Sequence, residues 1–214
     1  MSNDIPITVH NATSDRDLFV TIFQKPAEAN PNIIYSSLFP VAWQVLPLGP
    51  SQTADPVIYP VQLELKVTES EKFGNAQHRN TVQNVNFNEV WDFDVNKPPF
   101  SRVSRNANET GVDGVVVIRN QSNEWIDAGL SKNGSFLMKQ PNIRAGEQAD
   151  FQLTPKLYFL ALSNIQKGDL IRSDQVTQNA YAVDLTGVGS VDVTVSTQDP
   201  TSGRLVWSSV TAPA

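Results

Sequence analysis

Apolar and polar residues alternate every two positions in stretch after stretch of this chain, and nowhere does a helical period last three turns. The clearest stretch is 83–96, where Val85, Phe87, Trp91, Phe93 and Val95 take odd positions. Asn84, Asn86, Asn88, Asp92, Asp94 and Asn96 take even ones. Successive side chains of an extended chain point to opposite faces, so this spacing predicts one long strand. Its apolar face would meet a core and its Asn/Asp face water or a partner. Glu89 and Val90 break the alternation, which predicts a bulge there rather than a buried catalytic acid.

The same reading extends over the chain. Ile5, Ile7 and Val9 alternate, as do Val61, Leu63, Leu65 and Val67, then Tyr181, Val183 and Leu185, then Val191, Val193 and Val195. Residues 18–24 and 115–118 are apolar on both faces, as in strands covered from both sides. Asn133-Gly134 supplies the positive φ angles of a tight hairpin. Pro155 removes a ladder donor inside the most apolar run, so it divides two strand halves or sits at an edge. About a dozen strands at this spacing predict an all-β fold, a single antiparallel β-sandwich or jelly-roll-like domain over 1–214. Long loops are expected near 47–56, 69–80 and 97–110, one helical turn at 27–30, and a weaker alternative parts two β halves near 97–110. Residues 110–117 and 186–193 echo each other in a Thr-Gly-Val opening, which raises the question of a duplication.

Composition narrows the function classes. A net charge of −6 gives no attraction to phosphate backbones or anionic lipid, so nucleic acid is not an expected partner. No apolar run approaches the roughly 18 residues of a membrane span, and no signal peptide is visible at the start. Cysteine is absent, which removes disulfides, thiolate ligands and a cysteine nucleophile. His10 and His78 are the only histidines, without a G-x-S-x-G serine or zinc-ligand spacing, so strand-end or surface roles are expected. No phosphate-cradling glycine loop is present, and no cofactor is expected.

Four candidates for ligand binding remain. Asp92 and Asp94 share a strand face about 7 Å apart, a spacing compatible with a carboxylate pair for hydrolysis. With Asn96 they would offer three oxygens to calcium. Trp125, flanked by Asn123 and Glu124, is placed to stack on a sugar. Against these stands the plain reading of Asp92, Asp94 and Asn96 as a charged, solvated face that discourages edge pairing. Four N-x-[ST] sequons, at Asn11, Asn108, Asn120 and Asn133, are no more than chance supplies in a chain this rich in Asn, Ser and Thr.

Three segments, 19–25 (F-V-T-I-F-Q-K), 38–45 (L-F-P-V-A-W-Q-V) and 151–168 (F-Q-L-T-P-K-L-Y-F-L-A-L-S-N-I-Q-K-G), together about a sixth of the chain, resemble an uncharacterised group of microbial proteins of this length. The resemblance implies an all-β fold and no assigned activity. The expectation is therefore a non-enzymatic interaction or self-assembling protein, a homo-oligomer or larger assembly through Asn/Gln/Ser/Thr-rich strand faces. The alternatives are a carbohydrate- or calcium-dependent binding module and, behind it, a carboxylate-pair hydrolase.

Overall fold

A computed structural model describes residues 4–27, 37–69, 80–94, 102–175, 180–198 and 203–214, and among these the alternating stretches are strands and no helix occurs. The fold is all-β. The first strands are β1 (Ile5–Asn11), β2 (Leu18–Phe23), the two-residue β3 (Phe39–Pro40), β4 (Gln44–Leu48) and β5 (Val57–Tyr59). β6 (Leu63–Glu69), β7 (Asn80–Val85), β8 (Glu89–Asp94) and β9 (Arg102–Thr110) follow. Then come β10 (Val115–Asn120), β11 (Ile126–Lys132), the short β12 (Ser135–Phe136), β13 (Met138–Ile143) and β14 (Gln148–Gln152). β15 (Lys156–Ala161), β16 (Tyr181–Asp184), β17 (Val188–Thr197) and β18 (Leu205–Pro213) complete the series.

Stretch 83–96 is not one strand. Asn86, Phe87 and Asn88 make a tight turn, with Asn88 at φ 68°, a conformation asparagine tolerates well. The Glu89 carboxylate accepts the Asn86 N–H at 3.0 Å and fixes that turn. β7 and β8 consequently enter different sheets, and the shared odd-position parity of Val85, Trp91 and Phe93 is a coincidence of turn length. A register shift does fall here, between Glu89 and Trp91, but the inserted residues are in β9, where 106–109 stand opposite Val90 alone. That places a strand at 102–110, where a loop was expected. The helical turn at 27–30 and the loop at 69–80 lie largely outside the described residues.

Two compact units are formed, each from separate parts of the chain. The first comprises Met1–Phe23, Ala42–Val61 and Pro155–Ala214, the second Gln24–Val41 and Gln62–Thr154. β9 lies inside the second unit, so the division does not fall at 97–110. In the first unit the sheets run β18-β17-β1-β5 and β16-β15-β2-β4. In the second they run β9-β8-β10-β14 and β7-β6-β11-β13, the last extended by β3 with β12 at the side. Every neighbouring pair is antiparallel except β1 with β17 and β8 with β10.

Placed side by side, the two lists describe one arrangement made twice. β1, β2, β4 and β5 correspond to β10, β11, β13 and β14, and β15–β18 correspond to β6–β9, with every pairing and direction preserved. The correspondence holds residue by residue. Asn11 ends β1 opposite Val195, and Asn120 ends β10 opposite Phe93. Both asparagines are buried, and each accepts from the backbone N–H and hydroxyl two residues on: Thr13 at 3.0 and 2.7 Å, Ser122 at 3.0 and 2.6 Å. Each amide then donates to carbonyls of a following loop and of the β4 or β13 terminus: Arg16, Leu48 and Gly49 in one unit, Glu124 and Ile143 in the other. The turns beyond match as well. Gln52 and Glu147 each cap the backbone N–H three residues earlier, at Gly49 and Arg144.

The chain is thus a tandem repeat, β1–β9 then β10–β18, whose halves are exchanged: β1–β5 pair with β15–β18 and β6–β9 with β10–β14. The echo between 110–117 and 186–193 is not this repeat, because β10 corresponds to β1 whereas β17 corresponds to β8. Each unit buries the apolar faces of its own two sheets. Ile7, Val9, Ile22, Phe159, Val193 and Val195 fill the first, Leu65, Ile118, Ile126, Leu130 and Phe151 the second. β2 is buried on both faces from Val20 to Phe23, where Phe23 packs with Ala42, Leu160, Ile165 and Ile171, but not at Phe19, which is exposed although the sequence predicts cover there.

Candidate interaction surface

β8 carries Asp92 and Asp94 outward on the sheet β9-β8-β10-β14, while Trp91 and Phe93 face inward. Asp92 stands between Arg119 on β10 and Ser104 on β9 in the register. Its Oδ2 accepts from Asn106 Nδ2 at 3.3 Å, and its Oδ1 is buried without a hydrogen bond. Arg119 grips Glu109 through two bonds of 2.8 and 2.6 Å. Hydrogen bonding to Arg119 holds the Glu109 carboxyl below its ordinary value, and the same bond raises Arg119. Asp94 pairs in register with Arg102, and Asn96 lies outside the described residues. Trp125 sits elsewhere, half-buried beneath the Arg144 guanidinium at 5.0 Å from its ring centre, a cation–π contact that occupies that face. Among the described residues no three His, Asp or Glu side chains gather to hold a metal ion.

Glu89 is the buried carboxylate of this region. Burial pushes its pKa up, but hydrogen bonds from the Asn86 N–H, Asn86 Nδ2 and Trp91 Nε1, with Arg105 at 3.4 Å, outweigh that and bring it below the ordinary value. The exposed Arg105 and the turn make this a structural clamp. His10 meets Thr53 Oγ1 at 2.9 Å and lies 3.9 Å from Asp192; His78 is outside the described residues.

The two repeats differ most at corresponding sheet edges. β9 and β18 each end a four-strand sheet. β9, R-V-S-R-N-A-N-E-T, is charged and bulged where 106–109 stand opposite Val90, two devices that stop another strand from pairing. β18, L-V-W-S-S-V-T-A-P, is as long but carries no charge at all. Val206 and Val210 are exposed on it, Val210 at 72%. Nothing in its sequence before Pro213 blunts the edge. Its lack of charge beside the charged β9 is the signal that the sequence carries.

A cleft of about 650 Å³ opens along the inner side of the same strand, lined in part by Leu160, Ala161, Tyr181, Gln198, Arg204 and Trp207. The Tyr181 and Trp207 rings are nearly parallel, 12° apart with centres 6.3 Å apart, and the Tyr181 hydroxyl meets Ser209 Oγ at 2.9 Å. In the second unit the register equivalents of Tyr181 and Trp207 are Gln83 and Val103, so the aromatic pair belongs to one repeat alone.

Among the described residues these features define a duplicated, strand-exchanged all-β protein in which β9 is a guarded sheet edge and its counterpart β18 an uncharged one. Its family is shown directly: the RhiA family model matches residues 3–202, so the chain belongs to the RhiA family. The match runs through both repeats and stops just short of β18. No curated protein and no solved structure matches the chain.

Proposed function

We propose that this protein is a non-catalytic interaction protein that assembles with copies of itself by strand addition at β18. The observation that carries this reading is the bare nine-residue edge beside its guarded counterpart β9. A terminal strand offers a row of backbone donors and acceptors to another chain, and natural proteins normally block it with charge or distortion. A second copy is the fitting partner. Antiparallel pairing of β18 with itself about Ser209 sets uncharged residues against uncharged ones, whereas a chain of net charge −6 repels its copies elsewhere.

Val210→Lys is the test. Val210 is exposed, so the fold is expected to keep its stability while self-association weakens by tenfold or more in mass photometry and sedimentation velocity. A wild-type chain that stays monomeric to about 100 µM, an affinity weaker than roughly 5 kcal/mol, refutes the reading.

A second reading, a carbohydrate-binding module, is favoured by the Tyr181–Trp207 pair in its cleft. Parallel aromatic faces with Gln198 and Arg204 nearby suit a sugar ring. A thermal-shift panel of neutral and acidic sugars tests it, and a shift that survives Trp207→Ala places the site elsewhere.

A further inference from the structure

We propose that the last quarter of the chain, β15–β18, also exchanges between molecules, so that residues 155–214 of one copy complete the first unit of a second copy. The proposal does not rest on the β18 edge; it follows from how the repeat is wired.

Each repeat consists of a leading quarter (β1–β5 or β10–β14) and a trailing quarter (β6–β9 or β15–β18). Neither leading quarter pairs with the trailing quarter that directly follows it. The reason lies in the links. Three residues, Pro60, Val61 and Gln62, join β5 to β6, and three, Leu153, Thr154 and Pro155, join β14 to β15. Both links contain a proline. A fully extended link of that length spans about 14 Å. In the second unit β14 lies against β11 and β13, while β6 is two strands in from β13 on the opposite sheet. Since β6 is one strand from β11, crossing about 10 Å between sheets and about 5–10 Å sideways takes about 11–14 Å, most or all of that reach before any turn or lengthwise offset. A repeat therefore does not close on itself, and each leading quarter takes its partner from another repeat.

Inside one chain that other repeat is the sister repeat, which gives the observed structure. A second copy presents the same trailing quarter with the same contacts: β17 beside β1 from Ile7↔Val191 to Asn11↔Val195, and β15 beside β2 from Tyr158↔Phe23 to Ala161↔Val20. Equal contacts leave the balance between closed and exchanged forms to concentration and to strain in the link, the circumstance in which swapping is cheap. The last quarter is suited to it topologically, because within residues 155–214 the chain does not return to the second unit. One link has to reopen. That link is anchored on both sides, by Gln24 Nε2 on the Thr154 carbonyl at 2.6 Å and by the Leu185 N–H on the Pro155 carbonyl at 2.7 Å.

The absence of cysteine permits a clean test. The Leu162 N–H bonds the Phe19 carbonyl, so the adjacent Val20 and Ala161 form a non-hydrogen-bonded antiparallel pair, with Cα atoms about 4.5 Å apart and within disulfide range. Val20→Cys with Ala161→Cys is refolded over a range of concentrations, oxidised, and run on denaturing gels without reductant. Exchange predicts covalent dimers and higher species that rise with concentration, at least tenfold over the single-cysteine controls, and that collapse on reduction. Adding Val210→Lys leaves them unchanged, which separates this outcome from assembly at the β18 edge. Inserting five Gly/Ser residues after Thr154 relieves the link and lowers the dimer yield. Two differently tagged cysteine-free copies, refolded together and captured through one tag, read the same exchange should the cysteine pair fail to fold. Exclusively intrachain disulfides at every concentration, or no co-capture in the Val210→Lys background, overturn the proposal.

Discussion

Asn120 offers the sharpest test of the duplicated architecture. It is fully buried, its amide nitrogen bonds the carbonyls of Glu124 at 2.6 Å and Ile143 at 3.1 Å, and its oxygen accepts from the N–H and hydroxyl of Ser122. Truncation to alanine deletes four hydrogen bonds and strands buried polar groups on two backbone segments, 122–124 and the end of β13. A net bond contributes about 1 kcal/mol, and a buried group left unpaired costs about 1–3 kcal/mol. A loss of about 3–5 kcal/mol follows, since the Ser122 hydroxyl keeps a contact with the Glu124 carbonyl at 3.4 Å. Asn11→Ala deletes an equivalent set in the other unit, so the two variants are expected to lose stability within about 1 kcal/mol of each other. Urea unfolding followed by tryptophan fluorescence reads this as a midpoint drop of about 1.5–3 M for a unit of this size. Asparagine to aspartate does not rescue either site, because a carboxylate keeps the acceptor and sets negative charge against carbonyl oxygens. A loss below about 1 kcal/mol in Asn120→Ala, or a gap above about 2 kcal/mol between the variants, refutes the claim that the asparagines hold equivalent corners.

Three further outcomes follow. Gly129→Ala would drive a methyl group into the Met138 backbone carbonyl, which cannot move aside as a flexible side chain could, and is expected to cost about 3 kcal/mol or more in thermal or urea unfolding. Glu89 has a folded pKa below its unfolded value, so its stabilisation is full above the unfolded pKa and is lost as pH falls through the folded one. Glu89→Gln is therefore expected to be less stable at pH 7 and to converge on wild type in acid; parallel curves from pH 7 to pH 3 would contradict the clamp. Asn88→Ala, at φ 68°, is expected to lose about 1 kcal/mol in the same assay, and Asn88→Gly to lose less.

Local chemistry was readable where neighbouring residues settle it. β6 and β17 follow their alternation, Asn133 and Gly134 make the expected hairpin at φ 50° and 70°, and Pro155 separates β14 from β15. Three features escaped for physical reasons. β9 is a polar edge strand with no apolar face to alternate, so composition made it resemble a loop. Asn86–Asn88 kept the parity of its flanks while turning the chain. The duplication hides because paired halves are distant in sequence, and its best marker, N-x-[ST] closing a strand, is too common a tripeptide to be informative alone. The edge asymmetry was equally legible as charge, but only a topology that makes β9 and β18 equivalent turns that difference into a signal.

The parallel contact between β1 and β17 has a consequence for biosynthesis. Residues 62–154 hold both quarters of the second unit, so that unit is complete once Thr154 has emerged from the ribosome. The opening strands are not. At 5–20 residues per second they wait on the order of ten seconds for partners far downstream, Phe159 for Ile22 and Val191 for Ile7. Throughout that interval β1 has only β5 and β2 only β4 to pair with, so Ile7, Val9 and Ile22 sit in two-stranded ribbons whose other edges stay open. Holdase chaperones are expected to matter more for this molecule than its modest size suggests, and slowing translation past residue 155 is expected to lower the yield of soluble protein.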